Sequence, residues 1–304
     1  MTPADPPKIR SGEKVALVLG AGGARGLAQI GVIEALEARA LNVVAIAGSS
    51  SGALVGGLHA SGKLHAYRDW MLSLDRRAML RLLDPGFGRA ALFEGTRLID
   101  ALREIAGSPK IEDLPIDFTA VAVDLLRQRE VWLREGDMWD AIRASFAIPG
   151  LFTPHVVHGR ALVDGGLLAP LPIAATRLSD AHRLIAVDMH GWPERPPGKP
   201  ADQSAPSGTP SNGRSWLTSW LQRSADTPAT AEATRTRIGF TDLMARSLDT
   251  MQAQISRVQL ALDPPELVVR IPRDACQFYE FWRVRELIDL GRREADKALD
   301  AAGY

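Results

Sequence analysis

Cysteine is nearly absent: the 304 residues contain one, Cys276. A lone thiol forms no intramolecular disulfide, so the core must hold the fold, and such usage fits a reducing compartment. Net charge is absent as well, with Lys plus Arg and Asp plus Glu at 36 each. No overall positive field therefore recruits nucleic acid or an anionic membrane, so nucleic acid is not expected as a partner and any lipid contact must be local. Long apolar runs are missing too. Residues 15–19 and 43–47 are strand-sized runs stopped by glycine, far short of the roughly 20 residues a membrane-spanning helix needs. Residues 1–14 offer no apolar stretch for a signal peptide. The six histidines and the one cysteine show no zinc-ligand spacing, so neither a metal nor another cofactor is expected. A cytoplasmic enzyme, with peripheral membrane contact at most, is the expectation.

What is present is enough apolar content, 46%, to bury a substantial core. Residues 15–19 (Val-Ala-Leu-Val-Leu) form a continuous apolar run, the pattern of a strand covered on both faces. Residues 27–39 read as a helix with Ile30, Ile33 and Leu36 on one side and Glu34 and Arg39 pointing away. Residues 43–47 repeat the buried-strand pattern, and 53–59 form a helix of small residues. Strand, turn and helix thus occur twice, which predicts an α/β fold: a three-layer α/β/α sandwich with a mostly parallel sheet and ligands at the carboxyl ends of the strands. Residues 118–124 and 130–134 read as a hairpin, 138–146 as a helix, and 161–163 and 183–188 as strands.

This core runs from residue 14 to 190. Residues 191–236 shift to Pro, Gly, Ser and Thr and read as a flexible insertion. Residues 237–304 return to order as a helix over 238–260, a strand over 267–271 and a helix over 280–302 that pack on the core. In that last helix Val284, Leu287, Ile288, Ala295, Ala298 and Leu299 share a face, and Gly291 lies among them to allow close approach. Arg285, Arg292 and Arg293 lie off that face as a solvated charge run. Within the insertion, Trp216 and Trp220 share a helical face and make a lipid-docking or partner-binding element, or a cover for a groove.

The chemistry lies in two glycine-rich strand exits. Gly48-Ser49-Ser50-Ser51-Gly52 fits the Gly-x-Ser-x-Gly nucleophile elbow, in which the serine stands on a sharp strand-to-helix turn between small residues. The helix that follows aims its unpaired N–H groups at the reacting centre. Gly20-Ala21-Gly22-Gly23-Ala24-Arg25-Gly26 offers bare backbone amides for an acyl-transfer oxyanion. It also starts like a dinucleotide fingerprint, but the position of the third glycine holds Arg25, Gly26 is one residue late, and no acidic residue ends the next strand. A serine hydroxyl needs a base. Asp164, at a strand end before Gly165 and Gly166, is the candidate, and partial dehydration would have to make its carboxylate a stronger base. His190, after the strand at 183–188, fits the chain order of a Ser-Asp-His triad and stays open as a third member.

These motifs resemble the patatin-like phospholipase family, and within it bacterial proteins similar to the esterase domain of neuropathy target esterase. The likeness rests on Gly22-Gly23-Ala24-Arg25-Gly26, Gly48-Ser49-Ser50-Ser51-Gly52 and Asp164-Gly165-Gly166 in family order, with Ala144-Ser145-Phe146-Ala147-Ile148-Pro149-Gly150 ahead of the last. It covers residues 14–190. The resemblance implies a Ser-Asp dyad without histidine, with Ser50 as nucleophile and Asp164 as general base. It implies an oxyanion hole at Gly22, Gly23, Ala24 and Arg25, with Arg25 steadying that loop or meeting an anionic head group. The motif-supporting glycines are Gly26, Gly48, Gly52, Gly165 and Gly166. The implied activity is hydrolysis of phospholipid, lysophospholipid or related lipid esters through an acyl-enzyme. Transfer of the acyl group to an alcohol acceptor, or a nucleotide-binding module, are the alternatives.

Overall fold

The computed structural model describes residues 9, 12–82, 95–177, 179–194 and 240–304. Trp216 and Trp220 lie outside the described residues. The two buried runs become parallel neighbours, β1 (Lys14–Leu19) and β2 (Asn42–Ser49), with Leu19 opposite Gly48. A 3-10 turn (Gly23–Leu27) and α1 (Ala28–Ala38) connect them, and α2 (Ser51–Ala60) follows β2 with Ser50 alone between them. Then come α3 (Leu64–Ser73), α4 (Arg76–Leu82) and α5 (Thr96–Ala106). The hairpin forms as β3 (Asp117–Asp124) and antiparallel β4 (Arg129–Leu133), followed by α6 (Met138–Ser145). Two short strands, β5 (His155–Val157) and β6 (Arg160–Asp164), precede β7 (Arg183–Gly191). The C-terminal part supplies α7 (Phe240–Leu262), β8 (Leu267–Pro272) and α8 (Val284–Ala301).

The sheet order is β5-β6-β3-β2-β1-β7-β8, with β4 on the far side of β3. From β8 to β3 every pairing is parallel, so the loops after β1, β2, β3, β7 and β8 leave at one edge. Successive strand residues face opposite sides. Leu17, Leu19 and Ile46 join α1, α2, α6 and α8 in the main core, whereas Val18 and Ala47 meet Leu171, Ile173, Ala169 and Ala175 on the other face, where Leu260 of α7 packs. Three layers result, as the βαβ pattern predicts.

Helix α8 lies across α1 at backbone contact. A Cβ on Gly31 would come 1.9 Å from the Ile288 carbonyl oxygen, and one on Gly291 1.8 Å from that of Ala28. Val284, Leu287, Ile288, Ala295 and Leu299 are buried there. At this crossing Glu34, off the apolar side of α1 as its position predicts, pairs with Arg68 of α3 (2.7 Å) and with Arg292 of α8. Arg292 is accordingly a partner across the helix layer and not only part of a solvated run, because close helix packing brings the charged margins of both helices together.

Candidate active site

Strand register alone brings Ser50 and Asp164 together. β2 ends at Ser49, opposite Val121 of β3, while the antiparallel β6 ends at Asp164, opposite Ala122, the next residue. β4 occupies the other side of β3, where Ala122 pairs with Val131. The ends of β2 and β6 therefore abut along one margin of β3.

Ser50 stands at φ 55° and ψ −122°, a conformation that costs a residue with a side chain roughly 1–3 kcal/mol. The surroundings hold it there. Its amide donates to Ser145 Oγ at 2.9 Å, the Ser145 hydroxyl donates to the Val121 carbonyl at 2.6 Å, and the Ser49 hydroxyl donates to the Ala169 carbonyl at 2.6 Å. Gly48 and Gly52 face each other inside the turn, where a Cβ on Gly52 would lie 2.1 Å from the Leu19 carbonyl oxygen. Only a bare backbone fits. The amides of Ala53 and Leu54 bond to the Ser50 carbonyl, and among the described residues those of Ser51 and Gly52 are the open donors of the helix start.

Asp164 is 3% exposed. Its Oδ1 accepts the Gly166 amide at 2.7 Å, while Oδ2 is buried without a formed hydrogen bond. Burial pushes the carboxyl up to about 7, against the opposing pull of the Ser50 hydroxyl that faces it and of the Gly166 amide. A carboxylate in this state is a far stronger base than an ordinary aspartate. A Cβ on Gly165 would lie 2.1 Å from the Val121 carbonyl oxygen, and Gly166 lies against Gln252 of α7.

The glycine loop after β1 is pinned at its start, with the Gly20 amide on the Val187 carbonyl (3.1 Å) and the Ala21 amide on the Pro170 carbonyl (2.8 Å). Of the four amides expected for the oxyanion, two are taken. Ala24 donates to the Phe278 carbonyl at 2.9 Å and Arg25 to the Gly22 carbonyl at 3.2 Å. Both belong to the 3-10 turn, whose fold and docking on Phe278 consume them. Gly22 and Gly23 remain, and among the described residues nothing accepts from either amide. Gly26 packs against Ser51 at the start of α2, so the loop and the elbow touch.

Arg25 is buried. Its guanidinium donates to the Gly22 carbonyl (3.3 Å) and the Arg273 carbonyl (3.1 Å) and pairs with Asp249 of α7. Of its two expected roles, the loop-steadying one fits this geometry. His190, the alternative third member of a triad, faces Asp249 at 3.5 Å and Asp188 at 3.7 Å. Burial pulls the imidazole pKa down, but the two carboxylates outweigh it and leave it raised. Among the described residues no hydrogen bond joins His190 to Ser50 or Asp164. Sequence reasoning missed Ser145, Asp249 and Gln252 as parts of the site. Ser145 lies inside the proline-containing segment and was within reach; the two α7 residues carry no signal in the sequence, since a polar residue on a helix is ordinarily solvated.

A family model described as patatin-like phospholipase matches residues 17–177, a span that holds the glycine loop, the elbow and Asp164. The chain belongs to the patatin-like phospholipase family. An NTE family protein of Mycobacterium bovis is 40% identical to this patatin-like chain, over 96% of it and 92% of its own length. Patatin-like phospholipase domain-containing protein 7 of Rattus norvegicus is 32% identical over 60% of the chain and 14% of its own length. Lysophospholipase NTE1 of Scheffersomyces stipitis is 32% identical over 62% of the chain and 12% of its own length. The match to these longer relatives covers a small part of each. Membership places the chain among the lipid acyl hydrolases.

Proposed function

We propose that this patatin-like chain hydrolyses phospholipid, lysophospholipid or related lipid esters with Ser50 as nucleophile and Asp164 as general base. Asp164 takes the Ser50 hydroxyl proton as the oxygen attacks the ester carbonyl. Negative charge on the former carbonyl oxygen is held by the Gly22 and Gly23 amides, aided by the start of α2. Collapse expels the alcohol, which takes the proton from Asp164, and leaves an acyl-Ser50 ester. Water, deprotonated by Asp164, then attacks this ester, and the fatty acid leaves as the proton returns to Ser50. The core carrying these groups is residues 14–190, and the described C-terminal part, residues 240–304, braces it.

The single observation behind this reading is a strained serine beside a buried carboxylate whose pKa lies at about 7. A purely structural turn has no use for either the strain or the desolvated charge. Labelling with a fluorophosphonate probe tests it. The unmodified chain is expected to label and to release fatty acid from lysophosphatidylcholine, whereas Ser50→Ala and Asp164→Asn, each with an intact circular-dichroism spectrum, do neither. Labelling that survives Ser50→Ala overturns the assignment.

A further inference from the structure

We infer that His190 is a positioning residue: as an imidazolium between Asp188 and Asp249 it holds the carboxylate that clamps Arg25, and through Arg25 the glycine loop. The inference rests on the mechanism proposed above for Ser50 and Asp164 and deepens it. It begins with strand geometry. Alternate residues of β7 face opposite sides, and Val187 and Met189 enter the main core, while Ala186 meets the layer of α7. Asp188 and His190 therefore share the face that α7 covers, and the His190 amide donates to Asp188 Oδ1 at 3.0 Å. The ring stands between strand and helix, with Nδ1 3.7 Å from Asp188 and Nε2 3.5 Å from Asp249. Its side chain is 1% exposed, and neither nitrogen has a formed hydrogen bond.

Two carboxylates on one ring decide its charge. A neutral imidazole has a single N–H, so its lone pair would face the second carboxylate, whereas the imidazolium serves both. Asp188 is 4% exposed, and among the described residues His190 is its one ion-pair partner. Loss of the ring proton would leave that buried carboxylate without a counter-charge. With the proton in place, Arg25 and His190 balance Asp188 and Asp249. Burial pulls the imidazole pKa down, and the two carboxylates still leave it raised. The other cations at its border are Arg257 of α7 and Arg270 of β8, which line a cavity of about 320 Å³ with Asp188 and His190. Both oppose the imidazolium, but Arg257 is held by Gln254 and the ring of Trp192, and among the described residues neither forms an ion pair with Asp188.

The bridge reaches the reacting centre through Asp249, which also pairs with Arg25, whose guanidinium holds the Gly22 carbonyl at 3.3 Å. Deprotonation of His190 leaves Asp249 tied to Arg25 alone and sets it near an unbalanced Asp188. The carboxylate is then no longer held from both sides, and the loop amides lose their fixed aim at the oxyanion, a loss felt in the transition state. The direction of the pH effect separates this role from that of a triad base. A histidine base must be neutral, so activity rises with pH through its pKa, whereas the bridge loses activity there.

Two measurements on the full chain test this. In a chain labelled with nitrogen-15 histidine, long-range proton–nitrogen NMR is expected to show both His190 nitrogens protonated at a pH of 6.5, the ordinary midpoint of the group. The His190 midpoint is expected to fall by about one unit or more in Asp249→Asn. His190→Gln, polar but uncharged, is expected to hydrolyse p-nitrophenyl butyrate with kcat about tenfold lower near neutral pH and KM unchanged. The ratio of the unmodified chain's kcat/KM to that of the variant cancels the Asp164 limb, and is expected to fall toward one as pH rises through the His190 midpoint. The unmodified chain carries the same signature alone, since its kcat/KM, after rising with Asp164, falls again above that midpoint. The variant's urea midpoint is expected to trail most below pH 6.5, with the gap closing as pH rises through the His190 midpoint. A His190 that is neutral at that pH overturns the inference, as does a rate ratio that is constant or rises with pH, or a variant that loses stability and keeps kcat. A chain inert toward the ester and the fluorophosphonate overturns the hydrolase reading and with it the catalytic role, while the imidazole spectrum still decides the ion bridge.

Discussion

Arg25 and Asp249 form an ion pair between the glycine loop and α7, two segments more than 200 residues apart in sequence. The guanidinium is covered, so it must be neutralised where it stands, and its remaining N–H groups hold the Gly22 and Arg273 carbonyls. Burial alone would raise the Asp249 carboxyl, but His190 and Arg25 outweigh it and hold the group down at about 2. Asp249→Asn leaves Arg25 without its counter-charge. Because Asp249 is one-third exposed, the expected cost is about 2 kcal/mol, below the 3–5 kcal/mol of a fully buried pair. In the surviving folded protein, kcat is expected to fall about tenfold with little change in KM, because in the proposed mechanism the loop amides act in the transition state. Urea unfolding and steady-state kinetics on a soluble ester check both effects.

The titration of Asp164 has opposite consequences for activity and stability. As the proposed base, Asp164 must be ionised, so kcat/KM is expected to rise with pH through an apparent pKa of about 7. For stability, a carboxyl whose folded pKa is raised from 3.8 to about 7 favours folding fully only below its unfolded value. That contribution is lost as pH rises through 7, because the native state then carries a desolvated charge. Asp164→Asn never ionises and can still accept from the Gly166 amide. Relative to the unmodified chain it is expected to gain up to about 4 kcal/mol between pH 4 and pH 8, read from urea midpoints across that range. A constant difference between the two proteins would show that Asp164 does not titrate there.

Ser145 stitches the elbow to the sheet, accepting from Ser50 and donating to Val121. Ser145→Ala removes both bonds inside a dry region and leaves an amide and a carbonyl without partners. The expected loss is about 1–3 kcal/mol of stability. Since the Ser50 amide is then no longer held at its strained φ, labelling by a fluorophosphonate is expected to slow about tenfold. Ser145→Thr, which keeps the hydroxyl, should recover most of that rate. Equal labelling by the alanine and threonine variants would remove Ser145 from the positioning of Ser50.

The parts of this fold that sequence makes legible are those with a period or a strict steric demand. Buried runs ending in glycine locate β1 and β2, and the small residues around Ser50 announce the turn because nothing larger passes Leu19. The helices between β2 and β3 carry no chemistry and are passed over by a reading centred on motifs, although Ile99, Leu102 and Ala106 of α5 have the spacing of a buried face. The assignment of four donors to the oxyanion loop overreached for a physical reason. Two of those amides are consumed by a tight turn and by Phe278, and hydrogen bonds to a distant carbonyl leave no trace in a local pattern. The pairing of Arg25 with Asp249 is illegible on the same ground.

Gly291 tests the packing that supports all of this. Its backbone rests on Ala28, the first residue of α1, which directly follows the 3-10 turn of the glycine loop. A methyl group there meets a backbone carbonyl at 1.8 Å, which neither helix can relieve by a rotamer change, so α8 must shift away. Gly291→Ala is expected to cost about 3 kcal/mol, the upper part of the range for overpacking, even though alanine favours a helix over glycine by about 1 kcal/mol. Because α1 also carries the loop, the variant is expected to lose kcat along with stability, whereas Arg293→Ala on the outer side of α8 leaves both within experimental scatter. A Gly291→Ala protein as stable as the unmodified chain would mean that α1 and α8 do not approach at backbone contact.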